Sequence, residues 1–257
     1  MVAFNEIRNA RREGQVQTVR AWLDSNEYTN DEGATLLHEI CLVAVHVNTT
    51  EADVDIARLL LSRGVDANHC EHGDGWTLLH NAAQSADNER GRRITALLIA
   101  AGADVNARTE EGSTPLGTSL DDNIFTFAAL HNCLEIATLL LRAGASLDAC
   151  CQTRSAEDLL DALLDLPGWG IDLPSDPNFL ALKTLFAGVR RAGSWKLWTL
   201  EDVKALLRLR SLVARGRARE RKVRTRRKTP REIALLFAPA FPNELFWNVM
   251  TYWNPRV

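Results

Sequence analysis

Apolar residues recur with a helical period in three separate stretches of the chain. They lie three and four residues apart over residues 56–61, 94–99 and 136–141, and this spacing predicts amphipathic helices. Each stretch is followed by the same five-residue pattern beginning with Gly, at residues 64–68, 102–106 and 144–148. The steps of 38 and 42 residues between these copies indicate a chain built from repeats.

A second pattern precedes the first helix of each copy. It reads Gly-Ala-Thr-Leu-Leu-His at residues 33–38, Gly-Trp-Thr-Leu-Leu-His at 75–80 and Gly-Ser-Thr-Pro-Leu-Gly at 112–117. Its threonine can accept a hydrogen bond from an unpaired backbone amide, so helices are predicted to begin at Thr35, Thr77 and Thr114. The glycines that end the second helices, where a left-handed residue without Cβ is favoured, are Gly64, Gly102 and Gly144.

These two motifs, recurring in this order, closely resemble the ankyrin repeat. That unit of about 33 residues has two antiparallel helices, a β-turn and a Thr-Pro-Leu-His signature. The resemblance implies an all-α solenoid of stacked helix-turn-helix units with β-turn tips. It also implies that His38 and His80 brace neighbouring turns through hydrogen bonds, a role that Gly117 cannot fill in the third copy.

The resemblance is strong over residues 30–150 and suggests two parts in the chain. Residues 1–195 are predicted to form the solenoid, and residues 196–257 a helical C-terminal extension. Clear units are predicted over residues 30–70, 72–108 and 109–151, and atypical units over 3–29 and 152–195. In the last unit, Ser155 and Asp158 have the spacing of a capping box.

The clear units are longer than the family's 33 residues. The additional residues are predicted to form loops between the two helices, over residues 45–53, 85–91 and about 119–127. Insertions at one point of every unit map to loops on one face of a solenoid, often the binding face. Tolerated lengthening of surface loops explains them equally well, because a longer loop costs little entropy.

The resemblance implies that another protein is bound by a concave surface of turn tips and first helices. Acidic side chains and one Trp at these positions indicate a basic or amphipathic ligand, and Trp is enriched among interface hot spots. Alternatively, Trp76 packs on the adjacent turn and has a structural role. The predicted contact residues are Asp31, Glu32, Asp74, Trp76, Asn81, Gln84, Glu110, Glu111 and Ser113.

No residue pattern in the sequence supports catalysis. Phosphate loops, Gly-x-Ser-x-Gly and His-Glu-x-x-His are all absent. His69, Cys70 and His72 lie close together but match no zinc-finger spacing, so a polar turn is the better interpretation. We therefore expect a binding protein that is not an enzyme and holds no metal or cofactor.

The composition is that of a folded chain. The 257 residues are 46% hydrophobic and 25% charged, which excludes wholesale disorder. No apolar run reaches the roughly 18 residues that a membrane span needs, and residues 1–14 lack the apolar core of a secretion signal. Five cysteines, an odd count, argue against a disulfide framework. We expect an intracellular, cytoplasmic protein.

The formal charge of −3 conceals a strongly basic segment. Residues 1–207 have 17 Lys or Arg against 30 Asp or Glu, whereas residues 208–231 have 12 against Glu220 alone. The densest part, residues 215–228, is interpreted first as a solvated loop between helices. Nuclear import and binding to nucleic acid or another anionic surface are the alternatives.

The last predicted helix, residues 241–253, has two interpretations. It can cap the solenoid, because terminal units must cover an exposed core. It also resembles F-box-like helices, and residues 207–216 followed by a Pro-led apolar helix resemble a SOCS box. These resemblances imply an alternative function as a substrate-recruiting adaptor of a cullin-type ubiquitin ligase. The docking residues would be Pro242, Leu245, Phe246, Val249 and Trp253.

Overall fold

In the computed structural model, helices alternate with short turns along the chain. The structure describes residues 4–25, 28–45, 50–70, 73–84, 88–120, 127–148, 150–165 and 173–201. The helices are α1 (Phe4–Arg12), α2 (Val16–Asp24), α3 (Asn30–Val45), α4 (Glu51–Ser62), α5 (Leu78–Ala83), α6 (Asn88–Ala100), α7 (Pro115–Ser119), α8 (Phe127–Arg142), α9 (Ala156–Ala162), α10 (Pro177–Ala192) and α11 (Trp195–Thr199). Two short 3-10 helices, Leu163–Asp165 and Leu173–Ser175, lie between α9 and α10.

The helices α1 to α10 form five consecutive pairs. First helices pack on first helices, α3 against α5 and α5 against α7, and second helices on second helices, α4 against α6 and α6 against α8. Within the described ranges there is no β-strand, and isolated bridges join Cys70 to Thr77 and Cys151 to Arg154. The predicted all-α solenoid of helix-turn-helix units is confirmed.

The apolar core is shared between neighbouring pairs. Leu78, Leu79, Ile94 and Leu98, in the third pair, expose none of their surface. Burying such a side chain is worth about 1.5–3 kcal/mol. Because this burial depends on the adjoining pair, each pair is stable only as a member of the stack.

The repeated Gly-x-Asp-x-Asn pattern joins successive units by paired hydrogen bonds. Asn68 Nδ2 donates to the Gly102 carbonyl (3.2 Å), and Asn68 Oδ1 accepts from the Asp104 amide (2.7 Å). Asn106 makes the same two bonds, at 3.2 and 2.8 Å, one unit further on. This role of the Asn was not predicted from the pattern.

An arginine replaces this Asn link at the following junction. Arg190 donates to Glu157 through Nε and Nη2, at 2.8 and 2.7 Å, and also pairs with Asp148, which stands at the Asn position. Burial alone would raise the pKa of Glu157, but the hydrogen bonds from Arg190 hold it below its usual value. The bonds to Glu157 hold α10 on α9, and the pair with Asp148 ties α10 to the preceding unit.

A buried ion pair joins the first two helix pairs. Arg11 Nε donates to Asp53 Oδ1 at 2.8 Å, and the two side chains are 5% and 4% exposed. The other carboxylate oxygen of Asp53 accepts from the Thr50 amide at 2.8 Å, completing a capping box for α4. Asp53 therefore fixes both a helix start and an interface between units.

The predicted helix start at Thr35 is wrong. The α3 helix begins at Asn30, and Thr35 lies inside it. Thr29 Oγ1 accepts from the Glu32 amide (3.2 Å), and Glu32 Oε2 accepts from the Thr29 amide (2.9 Å). This capping box puts the capping threonine at Thr29, six residues before Thr35, and carries Gly33 into the helix.

The predicted loops between the helices are also shorter than expected. Residues 51–53 form the first turn of α4, and residues 88–91 belong to α6. The capping box of Thr50 and Asp53 explains the first difference. Residues 46–49, 85–87 and 121–126 lie outside the described residues.

Contacts within the chain divide it into two compact units, Met1–Arg190 and Arg191–Val257. In the second unit the structure describes residues 191–201. Ser194 Oγ accepts from the Leu197 amide at 3.2 Å and begins α11, on which the rings of Trp195 and Trp198 lie 5.1 Å apart. The basic segment 215–228 and the predicted docking residues of the C-terminal helix lie outside the described residues.

Candidate protein-binding surface

The tip that precedes α5 is held against the next tip by backbone contacts. Gly75 has a φ of 75°, and a Cβ there would lie 2.5 Å from the Arg108 carbonyl oxygen. The Asp74 carbonyl accepts from the Glu110 amide at 2.8 Å, and Asp74 Oδ1 accepts from the Trp76 amide at 2.9 Å. The contacts of Asp74 and Gly75 therefore fix the backbone that leads into Trp76.

The Trp76 side chain lies on the first helix of its own unit. Its indole Nε1–H donates to Asn81 Oδ1 at 2.7 Å, and its ring centre lies 5.5 Å from that of His80. The side chain is half-buried. These two contacts hold the Trp76 side chain on α5, and its role in partner binding stays a prediction.

His80 connects the third unit to the fourth. The Thr77 amide donates to Nδ1 at 3.1 Å, so the proton of the neutral ring is on Nε2, which donates to the Ser113 carbonyl at 3.1 Å. Burial lowers the pKa of His80, and its hydrogen bonds with the Ser113 and Ala107 backbone, together with the charges of Asp74 and Asp104, oppose this only in part. These are the hydrogen bonds that the resemblance implied for His80.

We expect His80 to make the chain less stable in acid. Because burial lowers its folded-state pKa, the unfolded chain binds a proton first as the pH falls below about 6.5. The free energy of unfolding should therefore fall with pH below this value and be insensitive to His80 above it. Urea denaturation of the original chain and of His80→Gln between pH 5 and 8 isolates the effect. Identical pH dependence of the unfolding free energy in the two proteins would refute it.

Gly117 takes the position of His80 in the fourth unit, and the backbone of the next tip fills the space. The Cys150 carbonyl accepts from the Thr114 amide at 2.8 Å and from Thr114 Oγ1 at 3.3 Å. A Cβ on Gly117 would lie 2.0 Å from the Cys150 oxygen. A direct backbone approach therefore replaces the histidine brace.

The fourth tip presents two exposed carboxylates. The Thr109 amide donates to the Ser113 carbonyl (3.0 Å), and the Ser113 amide donates to Thr109 Oγ1 (3.1 Å). This tight turn places Glu110 and Glu111 on the surface. Glu110 adjoins the Trp76 tip through its bond to Asp74.

The structure places the other predicted contact residues differently. Asn81 is 4% and Ser113 9% exposed, so neither is a surface contact, and Asn81 instead holds Trp76. Asp31 is exposed in the first turn of α3, where Glu32 forms the capping box. Gln84 is half-buried at the end of α5.

The structural signature residues lie mainly where the pattern predicted. Thr77 and Thr114 stand immediately before α5 and α7. Gly64, Gly102 and Gly144 have φ angles of 84°, 90° and 101°. His38 is buried within α3, and its bracing role stays a prediction.

Within the ranges that the structure describes, no helix is long and apolar enough to cross a membrane. Those ranges also contain no group of three or more metal-binding side chains. His72, from the His-Cys-Glu-His turn, lies outside them.

The repeat family is established by comparison with known proteins. The sequence model of a family described as ankyrin repeats (3 copies) matches residues 7–109 and 44–150. These matches cover more than half of the sequence, and the chain belongs to the ankyrin-repeat family.

The chain is also similar to parts of larger proteins. It is 43% identical over 65 residues to the 2-5A-dependent ribonuclease of Mus musculus, which is 25% of this chain and 8% of the ribonuclease. It is 32% identical over 136 residues to protein fem-1 homolog C of Mus musculus, 49% of this chain and 20% of that protein. With the nuclear factor NF-kappa-B p105 subunit of Gallus gallus, identity is 33% over 104 residues, 40% of this chain and 9% of that subunit. The chain thus spans at most a fifth of these relatives.

Proposed function

We propose that this chain is a non-enzymatic scaffold that binds another protein through the tips and first helices of its third and fourth units. The observation that carries the proposal is the geometry of Trp76, whose indole N–H is bound by Asn81 while the residue is half-buried and not fully enclosed. A large side chain already held in place loses little conformational entropy on binding. Such residues are typical hot spots of protein interfaces.

The charge around Trp76 supports a basic or amphipathic partner segment. Asp74 lies two residues before it, and Glu110 and Glu111 are exposed on the adjoining tip. Arg108, on the same tip, donates to the Gly112 carbonyl at 3.1 Å. Exposed carboxylates beside an aromatic anchor accelerate association with a positively charged partner and add specificity.

Trp76→Ala should weaken partner binding at least tenfold, which is about 1.4 kcal/mol. The full chain is used to capture its partner, the partner is identified by mass spectrometry, and its dissociation constant is then measured. The substitution removes the indole ring and its hydrogen bond to Asn81.

The matched control is Leu180→Ala, which removes a 49% exposed apolar side chain from α10, outside the proposed surface. It should leave the dissociation constant unchanged. Circular dichroism checks that both variants are folded. A folded Trp76→Ala chain that binds as tightly as the original would contradict the proposal.

A second candidate ligand follows from the ribonuclease relative, whose name states a dependence on 2-5A. Trp76, which is half-buried and bonded to Asn81, is the side chain whose fluorescence would report such binding at the proposed surface. Titration of the full chain with 2-5A tests this candidate by tryptophan fluorescence. A saturable change in fluorescence that disappears in Trp76→Ala supports 2-5A binding. If fluorescence does not change, the similarity to the ribonuclease is limited to the repeat scaffold.

The ubiquitin-ligase alternative rests on the sequence resemblance of residues 241–253, where a helix is predicted. It predicts that a cullin or its adaptor co-purifies with the full chain and is lost on replacing Leu245 and Phe246 by Ala. If the full chain captures a partner and no cullin co-purifies, the simple scaffold remains the proposed function.

A further inference from the structure

Two adjacent cysteines lie at the tip of the fifth unit. Cys150 exposes none of its surface, whereas Cys151 is half-buried, and both are free thiols. Cys150 Sγ donates to the Ser146 carbonyl, and Cys151 Sγ accepts from Ser113 Oγ, each at 3.4 Å. The two thiols therefore have separate partners, although they belong to neighbouring residues.

The peptide group between these cysteines joins the fourth unit to the fifth. Its carbonyl, that of Cys150, accepts from the Thr114 amide at 2.8 Å and occupies the space beside Gly117. Its N–H, that of Cys151, donates to the Arg154 carbonyl at 3.4 Å. We call this arrangement the Cys150 joint. Rotation of the peptide group would break both hydrogen bonds, so the closed joint holds this backbone in one conformation.

The residue that follows the two cysteines is strained. Gln152 has a φ of 52°, and among the residues that the structure describes it is the only non-glycine residue with a positive φ. Such a conformation persists only where the surrounding contacts hold it. Opening of the Cys150 joint therefore releases this strain.

A disulfide between the two cysteines is incompatible with the closed joint. Consecutive Cα atoms lie about 3.8 Å apart across a trans peptide, which is shorter than the roughly 4.4–6.8 Å found in ordinary disulfides. The two sulfur atoms can therefore meet only if the peptide group between them turns. That movement takes the Cys150 carbonyl away from the Thr114 amide.

We propose that Cys150 and Cys151 form a redox switch, in which a low-molecular-weight disulfide such as oxidised glutathione joins them and opens the Cys150 joint. The Cys151 thiolate attacks one sulfur of the oxidant, forming a mixed disulfide and releasing one glutathione thiolate. The Cys150 thiolate then attacks Cys151 Sγ and releases the second glutathione. The two cysteines lose two electrons and two protons, and one oxidised glutathione becomes two reduced ones.

The burial of the two thiols sets the order of these steps. Cys151 is the more accessible of the two, so it reacts first. Burial raises the pKa of Cys150 to about 11, so its thiolate is scarce while the joint is closed. Opening of the joint exposes Cys150 and allows the second step. Oxidation and the closed joint therefore exclude each other.

Mass spectrometry of the full chain tests whether the disulfide forms. Trypsin releases peptide 143–154, which contains Cys150 and Cys151 and no other cysteine. The chain is equilibrated in mixtures of reduced and oxidised glutathione, and free thiols are blocked before digestion. We expect the peptide to lose two hydrogen atoms as oxidised glutathione increases, and to regain them with dithiothreitol. Cys70, half-buried and without an adjacent cysteine, is the control and should form only a mixed disulfide.

Amide hydrogen exchange, followed by NMR, tests whether the joint opens. The Thr114 amide should exchange about tenfold faster or more in the oxidised chain, because its bond to the Cys150 carbonyl is broken. The Asp104 amide, bonded to Asn68 Oδ1 at 2.7 Å, belongs to another junction and should exchange at the same rate in both states.

Two glycine variants test the link between the joint and oxidation. Gly117→Ala forces the Cys150 carbonyl away, so the oxidised glutathione needed for half-oxidation should fall about threefold or more. Gly64→Ala, with nothing within 4 Å of the new Cβ, should leave that concentration unchanged. The measurements on the original chain remain decisive if Gly117→Ala does not fold.

Three results for the original chain would overturn the switch. They are a peptide that keeps both thiols, a peptide that carries glutathione without forming the internal disulfide, and a disulfide that leaves Thr114 exchange unchanged. Equal oxidation of a folded Gly117→Ala chain and the original would also overturn it. The surface around Trp76 takes no part in these measurements, so failure of the switch and failure of the proposed function are distinguishable.

Discussion

Replacing Asp53 by Ala should lower the free energy of unfolding by about 3–5 kcal/mol, the usual cost of leaving a buried charge without its partner. Arg11 is 5% exposed and would lose the carboxylate that lies 2.8 Å from its Nε. The same substitution removes the capping box at the start of α4. Urea denaturation of the full chain, followed by circular dichroism, measures the loss.

The matched control is Arg58→Ala, which breaks an ion pair whose side chains are 54% and 50% exposed. Exposed pairs contribute about 0–1 kcal/mol, so this variant should unfold close to the original midpoint. Equal destabilisation by the two substitutions would show that the Arg11–Asp53 pair does not hold the first two units together.

Gly117→Ala should destabilise the chain by about 3 kcal/mol, at the upper end of what overpacking costs. The new Cβ would lie 2.0 Å from the Cys150 oxygen and 2.7 Å from its carbon, and these are backbone atoms that cannot rotate away. Moving that backbone would also break the 2.8 Å bond from the Thr114 amide. The change in denaturation midpoint reports the cost.

Gly64→Ala serves as the comparison for Gly117. Nothing lies within 4 Å of a Cβ there, and its φ of 84° makes the backbone conformation the source of any cost. That cost is about 1–2 kcal/mol. If Gly117→Ala proved the milder of the two, the close approach of the fourth and fifth units would be contradicted.

The fold was predictable where a local pattern determines local structure. Thr114 and Ser155 begin helices because a hydroxyl in an extended backbone accepts from an amide of the first turn, and this depends on neighbours in sequence. Thr77 stands at the same position before α5, where its amide donates to His80 Nδ1. The glycines after the second helices adopt left-handed conformations for an equally local reason.

The error at Thr35 came from two competing local signals. The repeat pattern placed the helix start after Gly33, whereas Thr29 and Glu32 have the spacing of a capping box. A Cβ on Gly33 would meet Val65 Cγ2 at 2.8 Å, which shows that its small size serves packing inside the helix and not a turn. The capping-box spacing was readable in the sequence and could have corrected the prediction.

Other contacts, on the surface and in the interior, form between side chains that meet only in the folded chain. Asn81 was predicted as a contact, yet it holds Trp76, because the tip geometry at Gly75 brings the indole onto α5. The Arg11–Asp53 pair joins residues 42 apart in sequence. No period in the sequence specifies such a pairing.

Hydrogen–deuterium exchange of the full chain with and without its captured partner tests the central claim most directly. We predict slower exchange at residues 73–84 and 109–119, the tips and first helices around Trp76, with α4, α6 and α8 unchanged. Protection confined to those second helices, or no protection in the repeats at all, would contradict it.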